Sequence, residues 1–153
     1  MTNKVTTEQF STFIIGNRLF GLDVTRVQEI VRPMGMTDIP LAPDFVRGLI
    51  NLRGQVATAI GLRELFEIHV ERPAEALNVV CKLDGFLISF QVDKIGDVLE
   101  VNTNDFEPTP NTIPEGTRRF LRGVYKVSGQ LLSVIDIDRV IGFLNETAED
   151  LAA

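Results

Sequence analysis

The chain has 153 residues, of which 44% are hydrophobic, and its 15 Lys and Arg against 21 Asp and Glu give a net charge of −6. That is enough apolar material for a core without disulfides or metal, and the lone Cys81 excludes an internal disulfide. The acidic balance opposes nucleic-acid binding, which depends on neutralising phosphates with Lys and Arg. No run reaches the roughly 18 apolar residues of a membrane helix, and polar Met1–Gln9 carries no apolar run of signal-peptide length, so the expectation is a soluble cytoplasmic protein without membrane insertion.

In chain order, Phe13–Ile15 and Leu19–Leu22 read as strands joined by a turn at Asn17-Arg18, and Phe20–Val24 alternates apolar with polar. Pro40 and Pro43 mark a bend before Asp44, a candidate cap for a turn through Phe45 and Val46. Leu49–Leu52 and Val56–Ile60 flank a turn at Gly54, and Leu62–Phe66 has room for one helical turn. Asn78–Leu83 is an apolar strand containing Cys81. Asp84-Gly85 is a type I′ hairpin signal, after which Phe86, Ile88, Phe90 and Val92 face one way and Leu87, Ser89 and Gln91 the other. Asn102–Gly116 is a loop holding three prolines. Val124–Val127 and Leu131–Ile135 form a hairpin about Gly129. Ile137, Val140, Ile141 and Leu144 share one face of about two helical turns, and Asn145–Ala153 reads as a frayed acidic tail.

The chain repeats itself. Residues 45–60 lie over 120–135 without a gap, sharing 6 of 16 positions: Phe, Arg, Gly, Gly, Gln and Ile. Unrelated segments of ordinary composition would share roughly one. Phe20–Val31 matches Ile88–Leu99 in register, so the order is A-B-A-B, two copies of one module. Short strands with frequent turns point to small closed barrels, which leave no bare edges.

Little in the sequence carries chemistry. His69 is the only histidine, and a Cys81–His69 nucleophile pair would join a core strand to a polar connector. Phosphate-cradling glycine motifs are missing. Asp136 and Asp138 are read as strand-end and helix-capping residues.

Val27-Gln-Glu-Ile30, the run Phe45–Gly54 ending Asn51-Leu-Arg-Gly54, Gly96-Asp-Val-Leu99 and Leu121-Arg-Gly-Val124 resemble the CheW family of chemotaxis coupling proteins, over residues 10–143. The resemblance implies a mostly β fold of two SH3-like five-stranded barrels, roughly 10–75 and 76–143 with strand exchange possible between them, and flexible tails at 1–9 and 145–153. It implies a non-catalytic adaptor without cofactors. Such an adaptor couples the cytoplasmic hairpin of a chemoreceptor to the regulatory domain of a CheA-type histidine kinase in arrays at the inner membrane. The alternative is a kinase-binding module that does not touch receptors. On the family's pattern, Val27, Ile30, Ile95 and Val98 line a receptor-binding groove, with Val79 and Val80 extending it, and core packing is the competing role. Glu29 and Arg53 are the partner-contacting polar residues. Gly61 stands where many members have the acid of an Asp-Leu-Arg sequence.

Overall fold

The computed structural model describes residues 6–69 and 75–152, with side chains through Thr147. Among the described residues, ten strands form two five-stranded sheets. The first sheet holds β1 (Thr7–Ile15), β2 (Arg18–Asp23), β8 (Lys94–Asn102), β9 (Leu121–Val127) and β10 (Gln130–Ile135), in the order β8-β1-β2-β10-β9. The second holds β3 (Val27–Val31), β4 (Val46–Leu52), β5 (Gln55–Gly61), β6 (Leu77–Leu83) and β7 (Phe86–Val92), in the order β3-β6-β7-β5-β4. Short helices α1 (Leu62–Leu65) and α2 (Glu115–Arg118) precede the longer α3 (Ile137–Ala152).

Each sheet closes on itself. Thr37, downstream of β3, exchanges backbone hydrogen bonds of 2.9 and 2.8 Å with Leu49 of β4. Glu107, downstream of β8, does the same with Val124 of β9 at 2.9 Å each. Leu49 and Val124 are equivalent in the repeat, and each follows a glycine that permits the approach. Gly48 has φ 148° and a Cβ there would lie 2.8 Å from the Thr37 carbonyl oxygen; a Cβ on Gly123 would run into the Phe106 ring.

The repeat halves and the barrels do not coincide. β8 leaves the second half of the chain to pair with β1, and β3 leaves the first half to pair with β6. A boundary between residues 75 and 76 therefore cuts both barrels, and each barrel draws strands from both repeats. The expected tail from Asn145 is helical as far as Ala152, and Thr7–Gln9 belong to β1.

This exchange produces three apolar clusters. Phe10, Leu19, Val101, Tyr125, Leu132 and Val134 fill the first barrel. Ile50, Leu52, Ala57, Val80 and Leu87 fill the second. Between the barrels lies a larger shared core containing Phe13, Phe20, Phe66, Val79, Cys81, Phe90 and Phe120. A file of rings runs through it from Phe13 through Phe20, Phe66, Phe120 and Phe143 to Phe45, with adjacent centroids 5.3–6.3 Å apart. β7 is therefore buried on both faces, not one: Ile88, Phe90 and Val92 point into the shared core and Leu87 into the barrel.

The turns refine two sequence expectations. The first hairpin turns at Gly16-Asn17, one residue before Asn17-Arg18, and Gly16 takes φ 64°. At Asp84-Gly85 only the glycine has positive φ, so the turn is not type I′. Positive φ at both central positions occurs instead at Arg53-Gly54 and Ser128-Gly129, the equivalent turns of the two copies.

Candidate functional site

Two strands border the junction of the barrels, β3 on one side and β8 on the other. Both carry a register irregularity. In β3 the pairing with β6 shifts between Val27 and Glu29, and in β8 the pairing with β1 shifts where Ser11 and Phe13 face Val98 and Ile95. Residues three apart in a regular strand point to opposite faces, and one extra residue brings them to the same face. Val27 accordingly lies opposite Cys81, and Ile30 opposite Val79. On the other side Ile95 lies opposite Phe13 and Val98 opposite Ser11. Directly opposed residues share a face, and Cys81, Val79 and Phe13 all point into the shared core. Each strand thus carries a two-residue apolar stripe on the side turned towards the other barrel.

The stripes run from inside to outside. Val27 and Ile95 pack against the shared core, whereas Ile30 and Val98 are 46% and 56% exposed. The repeat equivalence predicts this pairing of depths, and the structure divides the four residues accordingly into two anchors and two exposed tips. The bulge in β8 has its own support. The Thr12 hydroxyl donates to the Asp97 carbonyl, and a Cβ at Gly96 would lie 2.5 Å from that hydroxyl oxygen.

Val79 and Val80 do not extend this surface. They are 1% and 0% exposed. Both faces of β6 are covered, one by the shared core and the other by the interior of the second barrel. Val79 sits beneath Ile30 in the shared core, and Val80 points into the second barrel. A continuous apolar strand reads the same whether it borders a groove or fills an interior. Here it fills two interiors.

The polar pair is joined. The Arg53 guanidinium donates through Nη2 to both carboxylate oxygens of Glu29, at 2.7 and 2.8 Å. Glu29 reaches across from β3, while Arg53 occupies the left-handed first position of the β4–β5 turn with φ 52°. The hydrogen bond and charge of Glu29 raise the Arg53 pKa still further, so the guanidinium stays charged. Its side chain remains 74% exposed against 25% for Glu29, which leaves the remaining donors facing solvent. The pairing was not legible in the sequence because Glu29, on β3, and Arg53, in the β4–β5 turn, lie 24 residues apart.

Cys81 and His69 are separated by environment. Cys81 is fully buried, and desolvation pushes its thiol up to about 12, with the charge of Arg26 acting in the opposite direction. His69 is exposed on a crevice also lined by Asp44, Glu64, Glu67 and Arg119. Asp136 caps α3 by accepting from the Arg139 N–H at 3.2 Å. No helix among the described residues is long and apolar enough to cross a membrane.

Known proteins share this arrangement. The CheW-like domain family matches residues 9–144. The chemotaxis protein CheW of Treponema pallidum is 30% identical over 143 residues, covering 89% of this chain and 84% of the relative. That of Helicobacter pylori is 27% identical over 134 residues, covering 87% and 81%. Among solved structures, the scaffolding protein TtCheW from Thermoanaerobacter tengcongensis superposes with a TM-score of 0.77 at 26% identity, over 90% of this chain and 89% of that one. Two interleaved barrels with a family match spanning nearly their whole length place this chain in the CheW-like family of chemotaxis adaptor proteins.

Proposed function

We propose that this adaptor joins the cytoplasmic hairpin of a chemoreceptor to the regulatory domain of a CheA-type histidine kinase, in the cytoplasm and within arrays at the inner membrane. The observation that carries the reading is the pair of apolar stripes, Val27–Ile30 and Ile95–Val98, each on the strand face shared with residues of the core between the barrels. Exposed β-branched side chains above a buried base suit the apolar face of a helix, which lays residues spaced by three and four into such a trough. The receptor hairpin supplies a helix of that kind. No bond need be made or broken: the adaptor contributes binding energy, and differential binding to two kinase states is enough to bias the kinase between them.

Arg53 serves at the border of this surface. Glu29 holds its guanidinium in one orientation, and the donors left free can meet a carboxylate or carbonyl on a partner. Glu29 thereby acts through Arg53 as well as being a surface residue itself. A reconstituted mixture of receptor cytoplasmic fragment, kinase and this chain tests the reading. Both partners should be retained on the immobilised chain, and the receptor should alter kinase autophosphorylation only when the chain is present. Retention of the kinase with no retention of receptor would instead establish the kinase-only module.

A further inference from the structure

The chain crosses between the barrels immediately before each seam strand, and each crossing is fastened to a helix by an ion pair. The first crossing is the 3-10 turn Val24–Arg26 between β2 and β3. There the Arg26 Nη2 lies 3.4 Å from Oδ1 of Asp138, in the first turn of α3. The second crossing is Asp93, between β7 and β8. Its carboxylate pairs with the Arg63 guanidinium of α1 and accepts the Gly16 N–H at 2.7 Å.

The repeat makes these fastenings counterparts. Arg63 and Asp138 occupy the same position after the second strand of segment B, and Asp93 matches Thr25, the neighbour of Arg26. The helix supplies the cation in one copy and the anion in the other. Their surroundings differ: the side chains of Arg63 and Asp93 are 9% and 12% exposed, and those of Arg26 and Asp138 are 34% and 81% exposed. A buried pair resists rupture, since breaking it strands a charge in the interior. An exposed pair is weak and screened by salt.

Both pairs stand at the root of the seam. Arg26 directly precedes Val27, and Asp93 comes just before Ile95. We propose that Arg63 and Asp93, together with Arg26 and Asp138, are positioning residues that set the separation of β3 and β8. The Arg63–Asp93 side is the fixed one and the Arg26–Asp138 side is adjustable. This rests on the docking role given to the seam above, because the helix a seam admits depends on its width.

The test uses the full chain with spin labels at Gln28→Cys and Asp97→Cys, exposed positions on β3 and β8, while buried Cys81 stays unlabelled. Unlabelled protein carrying Arg26→Asp, Asp138→Arg, or both, is titrated with a receptor cytoplasmic hairpin fragment. Each single change should broaden the label-to-label distance distribution and weaken the fragment roughly two- to fivefold, as loss of an exposed pair allows. The double charge reversal should restore both, and high salt should broaden the distances in the parent but not further in the single variants. Asp93→Asn, which keeps an acceptor for Gly16, should broaden them more if it folds. Lower melting temperatures with unaltered distances, or no rescue by the double reversal, would overturn the proposal. If the parent fails to bind the fragment while the distances still respond and are rescued, the positioning role stands and the docking reading falls.

Discussion

Replacing Ile30 by aspartate separates a docking surface from a core. Ile30 is 46% exposed, so only about half of the roughly 2–3 kcal/mol available from burying such a side chain is at stake. Aspartate is also a poor strand former, which adds up to about 1 kcal/mol. The expected loss is about 1–2 kcal/mol, leaving a cooperative fold. Val79 lies directly opposite on β6 and is 1% exposed. Val79→Asp would place a carboxylate in the shared core, and a loss above about 4 kcal/mol is expected. Urea unfolding of the two variants, followed by calorimetric titration with a receptor hairpin fragment, gives both quantities. Ile30→Asp should keep the parent's dependence on denaturant concentration while its affinity falls more than about tenfold, the cost of desolvating a charge against an apolar helix. Val98→Asp should behave alike, since Val98 is 56% exposed at the equivalent position. An Ile30 variant as unstable as the Val79 variant, or one that binds the fragment like the parent, would refute the assignment of the stripes.

Three further outcomes are expected. Arg53→Ala should leave the urea midpoint near the parent's and reduce receptor-dependent kinase control in a reconstituted array; unaltered control would remove Arg53 from the partner surface. Cys81, with its thiol pushed up to about 12, should resist alkylation at pH 8.5 in the native chain and react fully in urea, as read by mass shift. Its raised pKa favours the folded state's neutral thiol, so this contribution persists below the unfolded value near 9 and raising the pH beyond it favours unfolding. Gly61→Asp should destabilise by about 1–3 kcal/mol, because it sets a second carboxylate against that of Glu64, which lies over this position; adding Glu64→Arg, which copies the second module, should recover part of the loss in thermal unfolding.

The legible part of this protein was what local rules govern. Glycine turns, alternating strands and the gapless repeat are short-range features, and they identified both modules and most strands. The same alignment paired Val27 with Ile95 and Ile30 with Val98, and burial follows that pairing. Sheet membership was not legible, because the exchange of β3 and β8 is decided by packing between distant segments. Val79 and Val80 were misplaced for that reason: only the packing of the shared core on one face of β6 and of the second barrel's interior on the other shows that both are covered. The length of α3 was hidden by the polar composition after Leu144, which in a helix marks a solvent face as readily as a loose end.

The two copies keep backbone geometry and redistribute charge. Arg53 and Ser128 both hold left-handed φ, 52° and 43°, at the first position of the same turn. The turn therefore does not require arginine, and its presence in one copy is a choice of side-chain chemistry. Around the following helix, Asp136 of the second copy caps α3 and lies 3.4 Å from Arg139. In the first copy the acid is absent at Gly61, and Glu64, equivalent to Arg139, folds back over it and lies 3.5 Å from Arg47. The negative charge has moved from the position before the helix to a position within it, and its partner has moved from the helix to β4. A duplicated barrel with identical surfaces would offer a partner two equal ways to bind. Unequal charge on matching backbones removes that ambiguity, as specificity requires differences in affinity rather than affinity alone. An adaptor that must face different partners in one orientation needs that asymmetry, and here it costs the fold little because the backbone positions bearing it are the same in both halves.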